Sequence, residues 1–248
     1  MLTYYRTIYR EYRRILRRLL RMSDPETVHE LRVVIKKLRA LYELISEVEQ
    51  HFDFDLHFDP IKSVFKAAGR IRDIDITLDC LKESQELRQG KSEHITTVLD
   101  RYRNSHLSFA RKIVRESIRD MNKSHLEIEK ILSIGIKSRS AEQFLKERVS
   151  KIRNIRRKHL SKTRLHTIRK LYKEYLYISK ASGSITVPLG DTLSQVDELQ
   201  KRIGRWHDYL IATSVIEIIK PAGEAQHEIW EGLEKLEKKM RRSIIKKL

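Results

Sequence analysis

One cysteine in 248 residues, Cys80, excludes an intramolecular disulfide and any cysteine-cluster metal site, and agrees with a reducing cytoplasm. Beside Leu78 and Leu81 it reads as core filler. Proline and glycine are scarce, 4 and 8 residues, which leaves little to interrupt helices. Long apolar runs are missing: the N-terminal stretch is rich in Tyr and Arg, so neither a signal peptide nor a membrane span is expected and the chain reads as soluble. There is no GxxxxGK[ST] loop for nucleotide phosphates and no evident carboxylate cluster to hold the magnesium of phosphoryl transfer. A non-enzyme with no cofactor and no metal is the expectation. Acidic residues are also in deficit, 34 against 52 Lys and Arg, for a net charge of +18. Self-repulsion of that size calls for a polyanionic partner, although charge alone does not choose which one.

What the chain has is 40% hydrophobic and 35% charged residues, with Leu, Ile, Lys, Arg and Glu dominant, a composition of packed helices. Breaks at Ser23–Glu26, His51–Pro60, Gln89–Gly90, Gly135–Ser138, Ser161–Thr163, Ala181–Gly190 and Pro221 divide it into eight helical stretches. These run roughly 3–22, 26–48, 60–88, 91–133, 140–160, 163–180, 191–219 and 222–247. The fold class is all-α, four stretches on each side of Gly135.

The two sides repeat a pattern. His29, Arg32 and Lys36 share their HxxRxxxK spacing with His166, Arg169 and Lys173, each set just after a break. Forty residues beyond His29 comes Gly69-Arg70-Ile71-Arg72-Asp73, and thirty-eight beyond His166 comes Gly204-Arg205-Trp206-His207-Asp208, so GRxxD also occurs twice. At about 100° per residue, His29, Arg32, Lys36 and Arg39 share a helix face roughly 80° wide. Leu31, Val34, Ile35, Leu38, Leu41 and Ile45 centre opposite them. Ile168, Leu171, Tyr175 and Ile178 likewise oppose His166, Arg169 and Lys173, with Leu176 where the first row has Arg39.

Two further stripes follow the same logic. Arg6, Arg10, Arg13, Arg17 and Arg21 line one side of the first stretch and Tyr5, Ile8, Tyr12, Ile15 and Leu19 the other, while the fifth stretch carries Lys146, Arg153 and Arg157. Like charges at such spacing cost a few tenths of a kcal/mol per pair, roughly 0.2–0.5. A bound anion reverses that sign, which makes Arg10, Arg13, Arg17, Arg153 and Arg157 candidate anion ligands. The alternative for any one stripe is a solvated helix face, the reading preferred for the C-terminal run Lys238, Lys239, Arg241, Arg242, Lys246 and Lys247. The segment His51 to Asp59 alternates HxDxDxHxD with Phe52, Phe54, Leu56 and Phe58. As an extended segment it would gather five polar groups on one side, suiting a divalent metal, but an ordered loop whose aromatics plug the bundle is preferred.

The paired HxxRxxxK and paired GRxxD segments resemble the CHAD family, the conserved histidine α-helical domain, over nearly the whole chain. The resemblance implies one domain over 1–248, built as two four-helix bundles, 1–135 and 136–248, related by pseudo-twofold symmetry around a basic central channel. It implies binding of inorganic polyphosphate, or another phosphate or sulfate polyanion, and a cytoplasmic location with association to polyphosphate granules. The binding residues it nominates are His29, Arg32, Lys36, Arg39, His166, Arg169 and Lys173, with Arg70, Arg72, Arg205 and His207 as secondary nominations. Asp73 and Asp208 are expected to orient cations, since a carboxylate repels phosphate. Glu174 and Leu176 depart from the family's basic pattern, so a weaker grip by the second half is expected. The ExExK signature of the tunnel domain that often accompanies the family is not found. Nucleic acid is the alternative partner, because a phosphodiester backbone satisfies the same stripes. Tyr5, Tyr12 and Tyr175 lie among the apolar residues, leaving no evident stacking platform for bases.

Overall fold

Tyr5, Ile8, Tyr12, Ile15 and Leu19, spaced by three and four residues, form the buried side of the first helix, α1 (Leu2–Arg21). The computed structural model describes residues 1–22, 24–84, 93–183, 185, 187–219 and 224–248. Seven more helices follow: α2 (Pro25–Val48), α3 (Phe54–Glu83), α4 (Glu93–Ile134), α5 (Ser138–Arg156), α6 (Lys162–Ala181), α7 (Leu193–Ile219) and α8 (Glu224–Ile245). Among the described residues there is no strand. Local chemistry sets several starts. Asp24 accepts the Thr27 N–H at 2.8 Å with Pro25 at the first helical position, Asp53 accepts the Leu56 N–H at 3.0 Å, and Ser161 Oγ accepts the Arg164 N–H at 3.3 Å. Gly135 separates α4 from α5 with φ of 94°, a conformation open to glycine. The expected breaks at Ser23, Gln89–Gly90 and Pro221 lie outside the described residues.

The segment His51 to Asp59 is not extended. Helix α3 begins at Phe54, six residues ahead of the expected start, because Asp53 caps it and Pro60 is carried inside the helix. Helical geometry scatters the polar groups that an extended segment would align. Asp59 and Asp55 lie 2.9 and 3.6 Å from Lys62 Nζ, and His57 Nε2 lies 3.2 Å from Glu127 Oε2. The aromatics do fill the core: Phe52 and Phe58 meet Tyr42 edge-on at 6.1 and 6.0 Å.

Helices α1 to α4 pack in the succession α1 on α2, α2 on α3 and α3 on α4, and the same succession returns as α5 on α6, α6 on α7 and α7 on α8. Between the two sets, α3 packs on α7, and α2 packs on both α5 and α6. One core cluster includes Leu31, Leu38, Leu145, Leu165 and Tyr172; a second gathers Cys80, Leu81, Leu99, Ala212 and Leu233 where α3, α4, α7 and α8 meet. Burial of each large side chain contributes about 1.5–3 kcal/mol. Cys80 is 1% exposed, and burial pushes its thiol up to about 12, as suits a packing residue.

The pair Asp75 and Arg103 joins α3 to α4, with Arg103 Nε donating to Asp75 Oδ1 at 2.6 Å. Asp75 is 2% exposed, and Arg103, with Arg72 behind it, opposes the burial that raises its carboxyl. Substituting Arg103→Leu should therefore destabilise the fold by about 3–5 kcal/mol, whereas Asp75→Leu combined with Arg103→Leu should be less damaging than Arg103→Leu alone, since it leaves no buried carboxylate behind. Urea denaturation midpoints of the three chains measure the difference.

Candidate anion-binding cavity

The buried leucines and valines of α2 turn His29, Arg32 and Lys36 away from the core, and α6 does the same for His166, Arg169 and Lys173. Because α2 packs on α6, both rows face one cavity of about 330 Å³, within the ~300–1,000 Å³ range of small-ligand sites. Helix α3 adds Phe65, Arg72 and Asp73, and α7 adds His207 and Asp208. Seven Lys and Arg side chains and four carboxylates line it.

The two repeated motifs interlock here. Arg32 Nη1 donates to the Phe65 carbonyl at 2.9 Å, and its guanidinium carbon lies 4.1 Å from the Phe65 ring centroid. This places Arg32 directly over Gly69, where a Cβ would stand 2.7 Å from Nη1. Arg169 occupies the same relation to Gly204, with Nε and Nη2 at 3.1 Å from the position of a Cβ. The arginine of HxxRxxxK thus lies on the glycine of GRxxD in both instances. Asp73 and Asp208 follow four residues after those glycines and attract Arg32 and Arg169 respectively. Burial holds both carboxyls above the usual carboxylate range, although the neighbouring arginines oppose it.

Cations outweigh this compensation. Burial, then the charges of Lys173, Arg32 and Arg169, lower Lys36 to about 6. Burial and Arg169 lower Lys173 to about 8, and burial is also the first cause lowering Arg32 and Arg169. His207 is pushed down to about 3 by burial and by His166, on which it stacks at 4.6 Å. Burial and Arg72 lower His29; burial and Lys170 lower His166. His166 Nδ1 and Arg169 Nε are buried without a hydrogen-bond partner. The arrangement is a desolvated cluster of donors short of negative charge, the chemistry of an anion receptor.

The remaining nominated residues are tied to neighbours or lie outside the cavity. Arg39 lines the cavity but donates Nε to Glu43 at 2.8 Å. Arg10, Arg13 and Arg17 are exposed on α1; Arg13 and Arg17 border a separate groove between α1 and α4 with Tyr9 and Met121. Arg70 points to Phe109 of α4 at 5.9 Å. Arg153 donates to the Pro188 carbonyl, and Arg157 is exposed at the end of α5. Arg205 pairs with Glu83 and stands 5.1 Å over the Tyr209 ring. Sequence reasoning missed Lys170, Glu43 and Phe65 as lining residues. Lys170 follows His166 by four residues and Glu43 follows Arg39 by four, spacings that return to one helix face. The Phe65 carbonyl leaves no trace in the sequence.

The family model described as CHAD domain matches residues 4–217, so α8 lies beyond the matched region. Among solved structures, the crystal structure of the CHAD domain from the plant Ricinus communis is similar with a TM-score of 0.77 at 14% identity, over 98% of this chain and 85% of that one. No curated protein matches.

Lys36 ordinarily titrates near 10.4 when exposed, so between about 6 and 10 the unfolded chain holds a proton that the folded one lacks. Stability consequently rises with pH across that window, and below it the folded protein bears an uncompensated buried ammonium. Substitution Lys36→Met should raise the Tm in anion-free buffer near pH 6, by about 2–4 °C for each kcal/mol of strain relieved. Scanning calorimetry of the two chains tests this; an unchanged or lower Tm would show that the ammonium is already compensated.

Proposed function

Since the chain belongs to the CHAD domain family, we propose that it binds inorganic polyphosphate, or a closely similar phosphate or sulfate polyanion, in the cavity between α2, α3, α6 and α7. The observation that carries this reading is the meeting of both histidine-led rows around one space in which Arg32, Lys36, Arg169 and Lys173 repel one another. In the same reading, residues 1–135 and 136–248 are two related halves, each supplying one row, and the protein is a binder and not a catalyst. A cytoplasmic site of action, at polyphosphate granules, completes the proposal. No helix among the described residues is long and apolar enough to cross a membrane.

The mechanism follows from donor chemistry. Each guanidinium offers forked N–H groups to phosphate oxygens, and each ammonium a mobile point charge, so a repeating anion gains many charge-assisted hydrogen bonds without its sequence being read. Contacts of this kind release counterions, so affinity falls steeply with salt. Tyr5, Tyr12 and Tyr175 are buried in the core and unavailable to stack on bases, which favours polyphosphate over single-stranded nucleic acid. Equal displacement of polyphosphate by short RNA or DNA at matched phosphate concentration would reverse that preference.

Two measurements test the proposal. The double substitution Arg32→Ala, Arg169→Ala should weaken polyphosphate binding by roughly 100-fold or more, given about 1.5–3 kcal/mol per hydrogen bond to a charged group, with helicity by circular dichroism unchanged. Binding undiminished in that variant would move the site elsewhere. Protonation supplies the second test. A bound anion raises Lys36 from about 6 and Lys173 from about 8, so above each value the complex holds a proton that the free protein does not. Affinity should fall as pH rises from about 6 to 9, with net proton uptake at pH 7.5. Calorimetric titration in buffers of different ionisation enthalpy reads that uptake directly.

A further inference from the structure

Helix α8, which lies beyond the residues matched by the family model, buries a carboxylate. Glu237 is 1% exposed, and its Oε1 accepts the indole N–H of Trp206 at 2.7 Å. Lys162 Nζ of α6 lies 3.5 Å from the same oxygen, while Oε2 is buried without a hydrogen-bond partner. Both partners adjoin the cavity. Lys162 stands one turn ahead of His166, and Trp206 is the central residue of the second GRxxD segment, next to His207. At about 100° per residue, Gly204 and Asp208 fall nearly opposite Trp206 on α7, so whatever fixes the indole also sets the bearing of the face that meets Arg169. In the first half the same place belongs to Ile71, which is buried and can form no such bond. One side chain of α8 thus reaches both walls that the second half gives to the site.

Resting on the polyphosphate reading above, we propose that Glu237 is a positioning residue of the anion site: through Trp206 and Lys162 it locks α7 against α6, so that His207 stacks on His166 and both Gly204 and Asp208 stay aligned with Arg169. It touches no ligand. A buried carboxylate is costly, and an apolar side chain of similar size would pack α8 at least as well, so its use here is directional. Apolar contacts hold a helix in place without fixing its rotation, whereas an N–H aimed at an oxygen fixes both. The ring of His166, whose Nδ1 has no hydrogen-bond partner, takes its support from the stack on His207 at 4.6 Å, and that stack depends on where α7 stands. The tolerance is small. A helix with its side chains has a radius of about 5–6 Å, so a rotation of roughly 10° carries a side-chain tip about 1 Å, enough to spoil a set of donors built for one anion.

Comparison of the wild type with three variants separates this role from simple packing. Glu237→Leu, folded by circular dichroism, should bind polyphosphate roughly tenfold more weakly or worse, by analogy with the loss of groups that support metal ligands from behind. Glu237→Gln, whose amide oxygen still accepts the indole N–H, should keep most of the wild-type affinity. Combining Glu237→Leu with Trp206→Phe leaves no orphaned N–H in the core, so melting temperature should recover while affinity does not, a split that a purely structural role would not produce. Histidine ring resonances read the same wall without ligand. His166 and His207 should shift in Glu237→Leu and hold their wild-type positions in Glu237→Gln, with His29 on α2 unmoved in both. Undiminished polyphosphate binding by either leucine variant, or His166 and His207 resonances unmoved in them, would overturn the positioning role. Failure of the wild type to bind polyphosphate, with those resonances shifting in Glu237→Leu, would remove the polyphosphate reading and leave the positioning of the histidine wall standing.

Discussion

Arg32, Lys36, Arg169 and Lys173 stand close together, largely out of water, opposed by the carboxylates of Asp73, Asp208 and Asp197. Such a grouping does not persist on its own account, since burial and mutual repulsion both disfavour the charged forms. It persists because α2 and α6 are fixed by what lies behind them: Leu31, Val34, Ile35 and Leu38 on one helix, Leu165, Ile168 and Tyr172 on the other, each no more than 1% exposed. Apolar burial on the far faces offsets electrostatic strain on the near ones. The cavity is thus preorganised, with donors in place before any ligand arrives and little ordering left to be done on binding.

The repeated motifs make sense as one device. HxxRxxxK puts a guanidinium on the cavity face of α2 or α6, and GRxxD provides, on the neighbouring α3 or α7, a glycine over which that guanidinium lies and an aspartate that attracts it. The second row differs from the first at Glu174 and Leu176, where the first has Lys37 and Arg39. Leu176 packs against the core, and Glu174 binds Arg148. Where the first row continues with Arg39, the second has Leu176.

Much of this was legible in the sequence, for identifiable reasons. Helices α1 and α2 announce themselves by strict three-and-four spacing and by the break at Ser23–Glu26, and the paired motifs mark α2, α3, α6 and α7 as walls of the cavity. The start of α3 was misread because HxDxDxHxD has the alternation of an extended segment, while the cap at Asp53 outweighs it. The arginine stripe of α1 resembled the others in spacing, yet periodicity reports only that a face is polar, not which neighbour it meets. Helix α1 packs on α2 and α4, leaving Arg10, Arg13 and Arg17 exposed. Contacts made by backbone, such as the Phe65 carbonyl under Arg32, carry no residue-type signal at all.

The seating of an arginine on a glycine has a consequence for how such chains diverge. Inside a helix, glycine is disfavoured relative to alanine by about 1 kcal/mol, so drift pulls Gly69 and Gly204 toward alanine whenever nothing resists. The guanidinium above each is what resists. Positions 32 and 69, and positions 169 and 204, are consequently bound together in inheritance: a lineage that shortens the arginine releases the glycine, and an alanine at position 69 or 204 becomes the fossil of a lost guanidinium.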